Sequence, residues 1–414
     1  MNHRSARQTF LWLLCLPLLW SESRSLAVSG EDFEYKGYFR SGAGANFNGG
    51  GKQCFNQTGI PGNEFRLGNE CSDYGEAYFI GHVVKPKAGD RTFFDTRVSL
   101  SYNPPGNTQY EAFDSSGNPA LSLIEAYIEG GKFGDSPITY WVGKRFYREP
   151  QLHMDDFFYF ADSSGNGGGV QNIPLVGGKF ALALLTETGT VVTQVGPSRI
   201  LMLDLRLFEV PISDVDDLNF WTTVSVSSGG TANGVRYDSN TGNAIGVKYH
   251  RKLGDTSHNN VALVWGRGLS QGLNLGGGFG GNSAPLSGIS TQNSSWRLRG
   301  VEDLVVNLSS KWAFEVGAVV ERWNTGAQNG SGTWLSLGAR PIYFINEYFS
   351  VALEVGGSSV SSPGIPGSSQ FIRTTLAPQI SPKIDFFARP VMRAYVTNTW
   401  GRGTGFGVQG EVWF

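Results

Sequence analysis

A chain of 414 residues with 16% charged and 13% aromatic side chains, 57 glycines and a net charge of −2 lacks the basic surface that nucleic acid or an anionic membrane face would require. Few charges, many rings and abundant glycine suit a wall whose alternate residues face lipid and whose strands are joined by tight turns. The chain opens on His3, Arg4 and Arg7, a short apolar run from Phe10 to Trp20, and the small residues of Ser25-Leu26-Ala27. Residues 1–27 therefore read as a secretory signal. The apolar run is shorter than the roughly 20 residues a helix needs to cross a bilayer, and no later segment reaches that length, which excludes a helical membrane protein. Removing the signal leaves 387 residues (414 minus 27), and 28–414 are expected to form a single domain. That length suits a barrel of roughly 16 to 18 strands.

Period-two segments begin at Phe33. Glu34, Lys36, Tyr38 and Arg40 share one face of the first strand. The next two cysteines, Cys54 and Cys71, are the only ones left once Cys15 departs with the signal. In an exported chain they are expected to form a disulfide across the first connection, with a zinc site as the alternative. Tyr74, Glu76 and Tyr78 then oppose Ala77, Phe79 and Gly81. Phe94, Thr96, Val98, Leu100 and Tyr102 oppose Asp95, Arg97, Ser99 and Ser101. The alternation returns at 201–210, 220–227, 244–249, 260–265, 304–308, 314–320, 334–337, 351–355 and 391–396. Polar or Gly-rich runs at 163–169, 227–234, 276–283 and 361–369 are expected to be breaks. In the last ten residues, Phe406, Val408, Val412 and Phe414 face one way and Gln409, Glu411 and Trp413 the other. That is the pattern of a lipid-facing strand, although a soluble sandwich could produce it too.

No catalytic set accompanies these strands. His82, His153, His250 and His258 sit in dissimilar contexts without metal-ligand spacing, and Asp155-Asp156, adjacent in an extended segment, would point apart. No enzyme activity, metal or cofactor is expected.

Several motifs, in chain order, carry a resemblance. They are Tyr38-Phe39-Arg40-Ser41-Gly42, Gln53-Cys54-Phe55, Arg66-Leu67-Gly68-Asn69-Glu70-Cys71, and Gly143-Lys144-Arg145-Phe146-Tyr147 followed by His153-Met154 and Asp156-Phe157. Gly268-Leu269-Ser270-Gln271-Gly272, Arg340-Pro341-Ile342-Tyr343, Thr375-Leu376-Ala377, Ala388-Arg389-Pro390 and Glu411-Val412-Trp413 complete the series. Together they resemble the maltoporin family of outer-membrane sugar porins across essentially the whole chain after the signal. The resemblance implies an all-β fold: a homotrimeric transmembrane antiparallel β-barrel of 18 strands in the bacterial outer membrane. Its third loop folds inward as a constriction. An oligosaccharide or other glycoside would pass through it, and its partners would be lipid and further copies of itself, with no nucleic acid.

It also implies an aromatic slide of Tyr38, Tyr74, Tyr110, Phe387 and Trp413, on which sugar rings slip, and a polar track that exchanges hydrogen bonds with their hydroxyls. Tyr38 and Trp413 have independent support, because they share a face with charged residues. Such rings could instead belong to an interfacial girdle. Tyr110 and Phe387 stand where the maltose-specific members carry Trp, and a sixth ring could correspond to Phe279. Arg40, Arg66, Glu76 and Asp156 match the track. Ile124 and Glu149 stand where Arg is expected, Gln151 where Asp is, and Phe158 replaces a tyrosine at the constriction. These changes point to altered selectivity, and the short link between Trp400 and Gly405 to a more open outer mouth. A general diffusion porin remains the alternative, followed by an adhesin whose loops bind a partner.

Overall fold

Alternation along extended segments makes every second side chain face one way, and a sheet built from such segments has two unlike faces. In the computed structural model, which describes residues 32–55, 60, 64–104, 114–115, 118–119, 121–187, 200–228, 230–232, 235–237, 239–272, 293–326, 328–361 and 368–414, that sheet closes on itself. Its strands are β1 (Phe33–Asn46), β2 (Tyr74–Val84), β3 (Phe93–Tyr102), β4 (Leu121–Gly131), β5 (Thr139–Arg145), β6 (Gly165–Leu175), β7 (Gly178–Glu187), β8 (Ile200–Pro211) and β9 (Asp216–Ser227). They continue as β10 (Asn240–Lys252), β11 (His258–Gly268), β12 (Trp296–Asn307), β13 (Trp312–Asn324), β14 (Ser331–Phe344), β15 (Phe349–Ser361), β16 (Ser368–Ile380), β17 (Val391–Thr399) and β18 (Gly403–Trp413). Each pairs antiparallel with the next. β18 pairs back onto β1 from Tyr38↔Trp413 to Asn46↔Gly405, which closes an 18-stranded barrel and leaves no open edge.

The two faces differ as the alternation requires. Leu184, Leu203, Val224, Ile245, Leu263 and Leu298 point outward and are exposed. Asp204, Thr223, Lys248, Asn260 and Arg299 point inward and are buried. The connections alternate in length. Those at 176–177, 212–215, 253–257, 308–311 and 345–348 are tight, and those at 47–73, 146–164 and 269–295 are long. Cys54 and Cys71 are joined by a disulfide within the first connection, with Cα atoms 5.7 Å apart.

Two expectations are corrected. The Gly-rich run 163–169, read as a break, enters β6 at Gly165. Gly167 and Gly169 face inward, where a Cβ on Gly169 would lie 2.8 Å from the Trp141 indole nitrogen, so the glycines make room for that ring. Asp155-Asp156 is not extended: His153–Asp155 form a single 3₁₀ turn and Asp156 follows at φ 47°. The carboxylates still diverge, one buried and one half-buried.

The inward face is also less polar than simple alternation suggests. Trp221, Ala244, Ala262, Val264, Val301, Val319, Trp323, Trp334 and Val360 all point in and pack with Leu152, Tyr159 and Phe160 of the connection at 146–164. Inward side chains there are apolar because chain, not water, covers them.

Candidate functional site

The hairpin within the connection at 146–164 pairs Arg148–Leu152 with Phe157–Asp162. Its tip is fixed by backbone groups. Met154 N donates to Glu315 Oε1 at 2.7 Å, Arg66 N donates to Met154 O at 3.0 Å, and Phe65 N donates to Asp155 Oδ1 at 3.2 Å. Burial, reinforced by the neighbouring Glu64 carboxylate, pushes the Asp155 carboxyl well above its ordinary range. Leu152 and Met154 are buried against the wall, whereas Asp156 keeps its carboxylate half-open, 3.4 Å from Arg40 Nη1.

Aromatic rings stand in a row from β2, β1 and β18 through the turn 381–390 to β11 and β10. Tyr74 and Tyr38 have centroids 6.0 Å apart, and Tyr38 stacks on Trp413 at 6.3 Å and 26°. Trp413 is 6.5 Å from Phe387, and Phe387 is nearly parallel to His258 at 6.4 Å and 10°. His250 follows at 6.3 Å. Tyr74 opens β2 at the end of a long connection, while His258 opens β11 after a short turn, so the row runs from one rim of the barrel towards the other. All of these rings are half-buried.

Charge holds the row from behind. Glu411, 2% exposed, accepts from Arg66 at 3.1 Å, Arg389 at 2.9 Å, Arg393 at 2.5 Å and the Tyr38 hydroxyl at 3.2 Å. Glu70 accepts from Arg40 at 2.8 Å and Arg66 at 2.7 Å, and Arg66 also donates to the Tyr38 oxygen at 2.7 Å. Burial works against the Arg66 charge, yet Glu70 and Glu411 outweigh it and hold the guanidinium above its ordinary value. Arg389 lies over the Trp413 ring at 4.1 Å, and burial brings its pKa down to about 10. His153 meets Trp413, Phe387 and Phe386 edge-on. Its Nδ1 lies 3.3 Å from Arg66 Nη1 and its Nε2 3.4 Å from Arg389 Nη2. Burial, then the Arg66 and Arg340 charges, hold this imidazole well below its usual pKa, and thus neutral.

The turn 381–390 brings Phe387 inside. Asp385 accepts from Thr256 of a neighbouring turn at 2.7 Å and from Phe387 N at 2.7 Å, and Phe386 N donates to Asn307 at 2.8 Å.

Of the residues singled out in the sequence, Tyr38, Tyr74, Phe387 and Trp413 come together in the row. Tyr110 and Phe279 lie outside the described residues. Glu76 accepts from both Tyr74 and Tyr78. Arg40 and Arg66, at 6% and 5% exposed, offer a solute little surface and instead position the rings. Ile124 is buried at a bulge between β3 and β4, and Gln151 donates to Asp156 at 2.5 Å. Glu149 is exposed, 3.9 Å from Arg206, and Phe158 lies under the Arg148 guanidinium at 4.0 Å. The sequence reading missed His250, His258, Arg148 and the clustering on Glu411. Glu411 was visible by its parity with Trp413; the histidines gave no signal without the contact to Phe387.

Several solved structures are similar in outline. They include the outer membrane channel DcaP of Acinetobacter baumannii, at 10% identity and TM-score 0.49 over 93% of this chain and 99% of that one. Salmonella typhi OmpF, solved with daunomycin, matches at 10% identity and 0.46 over 92% and 97%. Escherichia coli Wzi, described as a carbohydrate binding β-barrel involved in group 1 capsule assembly, matches at 12% and 0.43 over 92% and 84%. Likeness at this level carries no argument about what this channel passes. The family model described as LamB porin is more decisive, because it matches residues 33–414, from the first strand of the barrel to its last residue. The chain therefore belongs to the LamB porin family and forms a channel of the bacterial outer membrane.

Proposed function

We propose that this channel conducts sugars, malto-oligosaccharides or related glycosides, along the row of rings from Tyr74 to His258. The observation that carries the reading is the unbroken spacing of that row, with rings no more than 6.5 Å apart. A pyranose ring has a C–H face that packs on π-faces and an equatorial rim of hydroxyls that seeks charged donors and acceptors. Repeated sites of similar, modest strength let it move on without being trapped. Asp156 and Glu76 are the acceptors with surface to offer the hydroxyls, while Arg40, Arg66 and Glu411 keep the rings in place.

In this reading the hairpin at 148–162 is the constriction, residues 1–27 are an export signal that is removed, and the protein is a homotrimer. The outward faces of β18, β1 and β2 support the trimer. Ser41, Ala43, Gly75, Ala77, Gly81 and Gly410 are small there, where other strands carry Leu, Ile and Val. Small side chains let two walls approach closely, and lipid needs no such relief.

The test is ion current through the purified protein in a planar bilayer, titrated with malto-oligosaccharides, then sucrose and aryl glucosides. Saturable block that deepens with chain length is the expected outcome. Current indifferent to every sugar would make this a general diffusion porin instead.

A further inference from the structure

We propose that Arg148 selects the solute by taking an anionic substituent, so that the channel favours sugars bearing a carboxylate over their neutral counterparts. This rests on the sugar-channel reading and specifies its substrate class.

The guanidinium carbon of Arg148 lies 3.9 Å from the centre of the Phe146 ring and 4.0 Å from that of Phe158. Two rings hold the cation by their faces, which fixes it while leaving its N–H edges unspent. Among the described residues no acceptor takes those edges. Asp162, its partner across the hairpin, accepts instead from Ser164 N at 3.1 Å and Ser164 Oγ at 2.7 Å. Glu149, the next residue, lies toward Arg206 at 3.9 Å. The replacement at Phe158, which costs a hydroxyl, thus supplies half of the clamp.

Arg148 lines a cavity of about 230 Å³ together with Arg145, Lys179, Arg206, Glu149 and Glu209. Its charges do not cancel. Lys179 pairs with Glu209 at 2.5 Å and Arg206 with Asp204 at 2.7 Å. Arg145 bonds only a neutral amide, Gln171 Oε1 at 3.1 Å, amid the rings of Tyr127, Trp141 and Tyr147. Among the described residues neither Arg145 nor Arg148 forms an ion pair, although the Arg148 charge acts on the buried Asp162 carboxylate across the hairpin. The Arg148 charge also acts on the phenols of Tyr74 and Tyr78, at the head of the row of rings. A sugar stacked there presents its substituents to the guanidinium fork. A planar fork with free donors matches a carboxylate two bonds at a time, whereas a hydroxyl uses one.

The experiment compares block of current by maltotriose and by the same trisaccharide oxidised to a carboxylate at its reducing end. In the native protein the acidic sugar should bind roughly five- to tenfold tighter, a charge-assisted bond discounted for solvent screening. In Arg148→Gln the ratio should fall close to one, with Arg148→Lys between. Equal block in the native protein, or a preference that survives in Arg148→Gln, overturns the proposal and leaves the sugar channel standing. Absence of block by either sugar overturns the channel reading and the proposal with it. Reversal potential in a salt gradient gives a sugar-free check. Arg148→Gln should move the pore toward cations, and an unchanged potential would remove Arg148 from the ion path. Heat-modifiable gel mobility reports whether each variant barrel has folded.

Discussion

The inner surface of this barrel has two regions built from the same alternating strands. On β18, β1 and β2 and in the turn 381–390, half-buried rings stand in a row and a buried cluster on Glu411 stands behind them. On β9 to β15, Trp221, Trp323 and Trp334 are at most 2% exposed and pack under the connections at 47–73 and 146–164. Charges there are sealed as well: Arg297 and Arg299 pair with Glu321, and Arg340 with Glu315 and Glu354. An inward aromatic is thus left half-open or sealed as a core residue according to what the connections leave uncovered. One region keeps its rings half-open while the other anchors the hairpin at 148–162.

Glu411→Ala should have the largest effect, since it strips the shared acceptor from three buried guanidinium groups. A loss of about 3–5 kcal/mol is expected in urea titrations, together with weakened sugar block. Trp334→Ala removes a buried indole bonded to Glu64 and Ser358 at 3.1 Å each. It should cost a comparable ~3–5 kcal/mol and leave sugar block near native, a split that would separate the two regions cleanly. Equal damage to block would show instead that they act as one unit.

Cys54→Ser opens the first connection. It should cost at most about 3 kcal/mol, read as faster proteolysis at 47–73 with the barrel intact. Free thiols in the unreduced native protein would rule out the bridge.

His153 sits where the regions meet and titrates well below the ordinary value of 6.5. Its contribution is fully present above that value and declines as pH falls, because the unfolded chain then binds a proton that the native ring refuses. The expected slope approaches about 1.4 kcal/mol per pH unit below pH 6.5, and His153→Gln should flatten it. An identical slope in the variant would assign the pH dependence elsewhere.

Trp413→Ala is the smallest change in energy and the most specific. Sugar block should weaken about tenfold while ion conductance stays near native, as one ring face in a series is lost. Unchanged block would take Trp413 out of the path.

Much of this was legible along the chain. The strands announce themselves by parity, and parity alone puts Tyr38 and Trp413 inside with Arg40 and Glu411. Phe387 was less accessible, since it enters through a turn whose shape depends on Asp385 reaching Thr256. His258 joins the row only through its contact with that ring. The strand at Gly165 was hidden because its glycines answer to Trp141, a neighbour across the sheet rather than along the chain.

The sequence by itself pointed to an exported antiparallel β-structure, through its basic and apolar start and its side-chain period of two, and its resemblance to the maltoporin family implied the closed barrel. Tertiary structure decided which inward side chains meet water and which meet chain. It also gave Arg66 two carboxylates and Arg148, among the described residues, no ion pair. Those outcomes follow from where the connections at 47–73, 146–164 and 381–390 come to rest. Such placements are set by long-range packing and ion pairing, and no local periodicity encodes them.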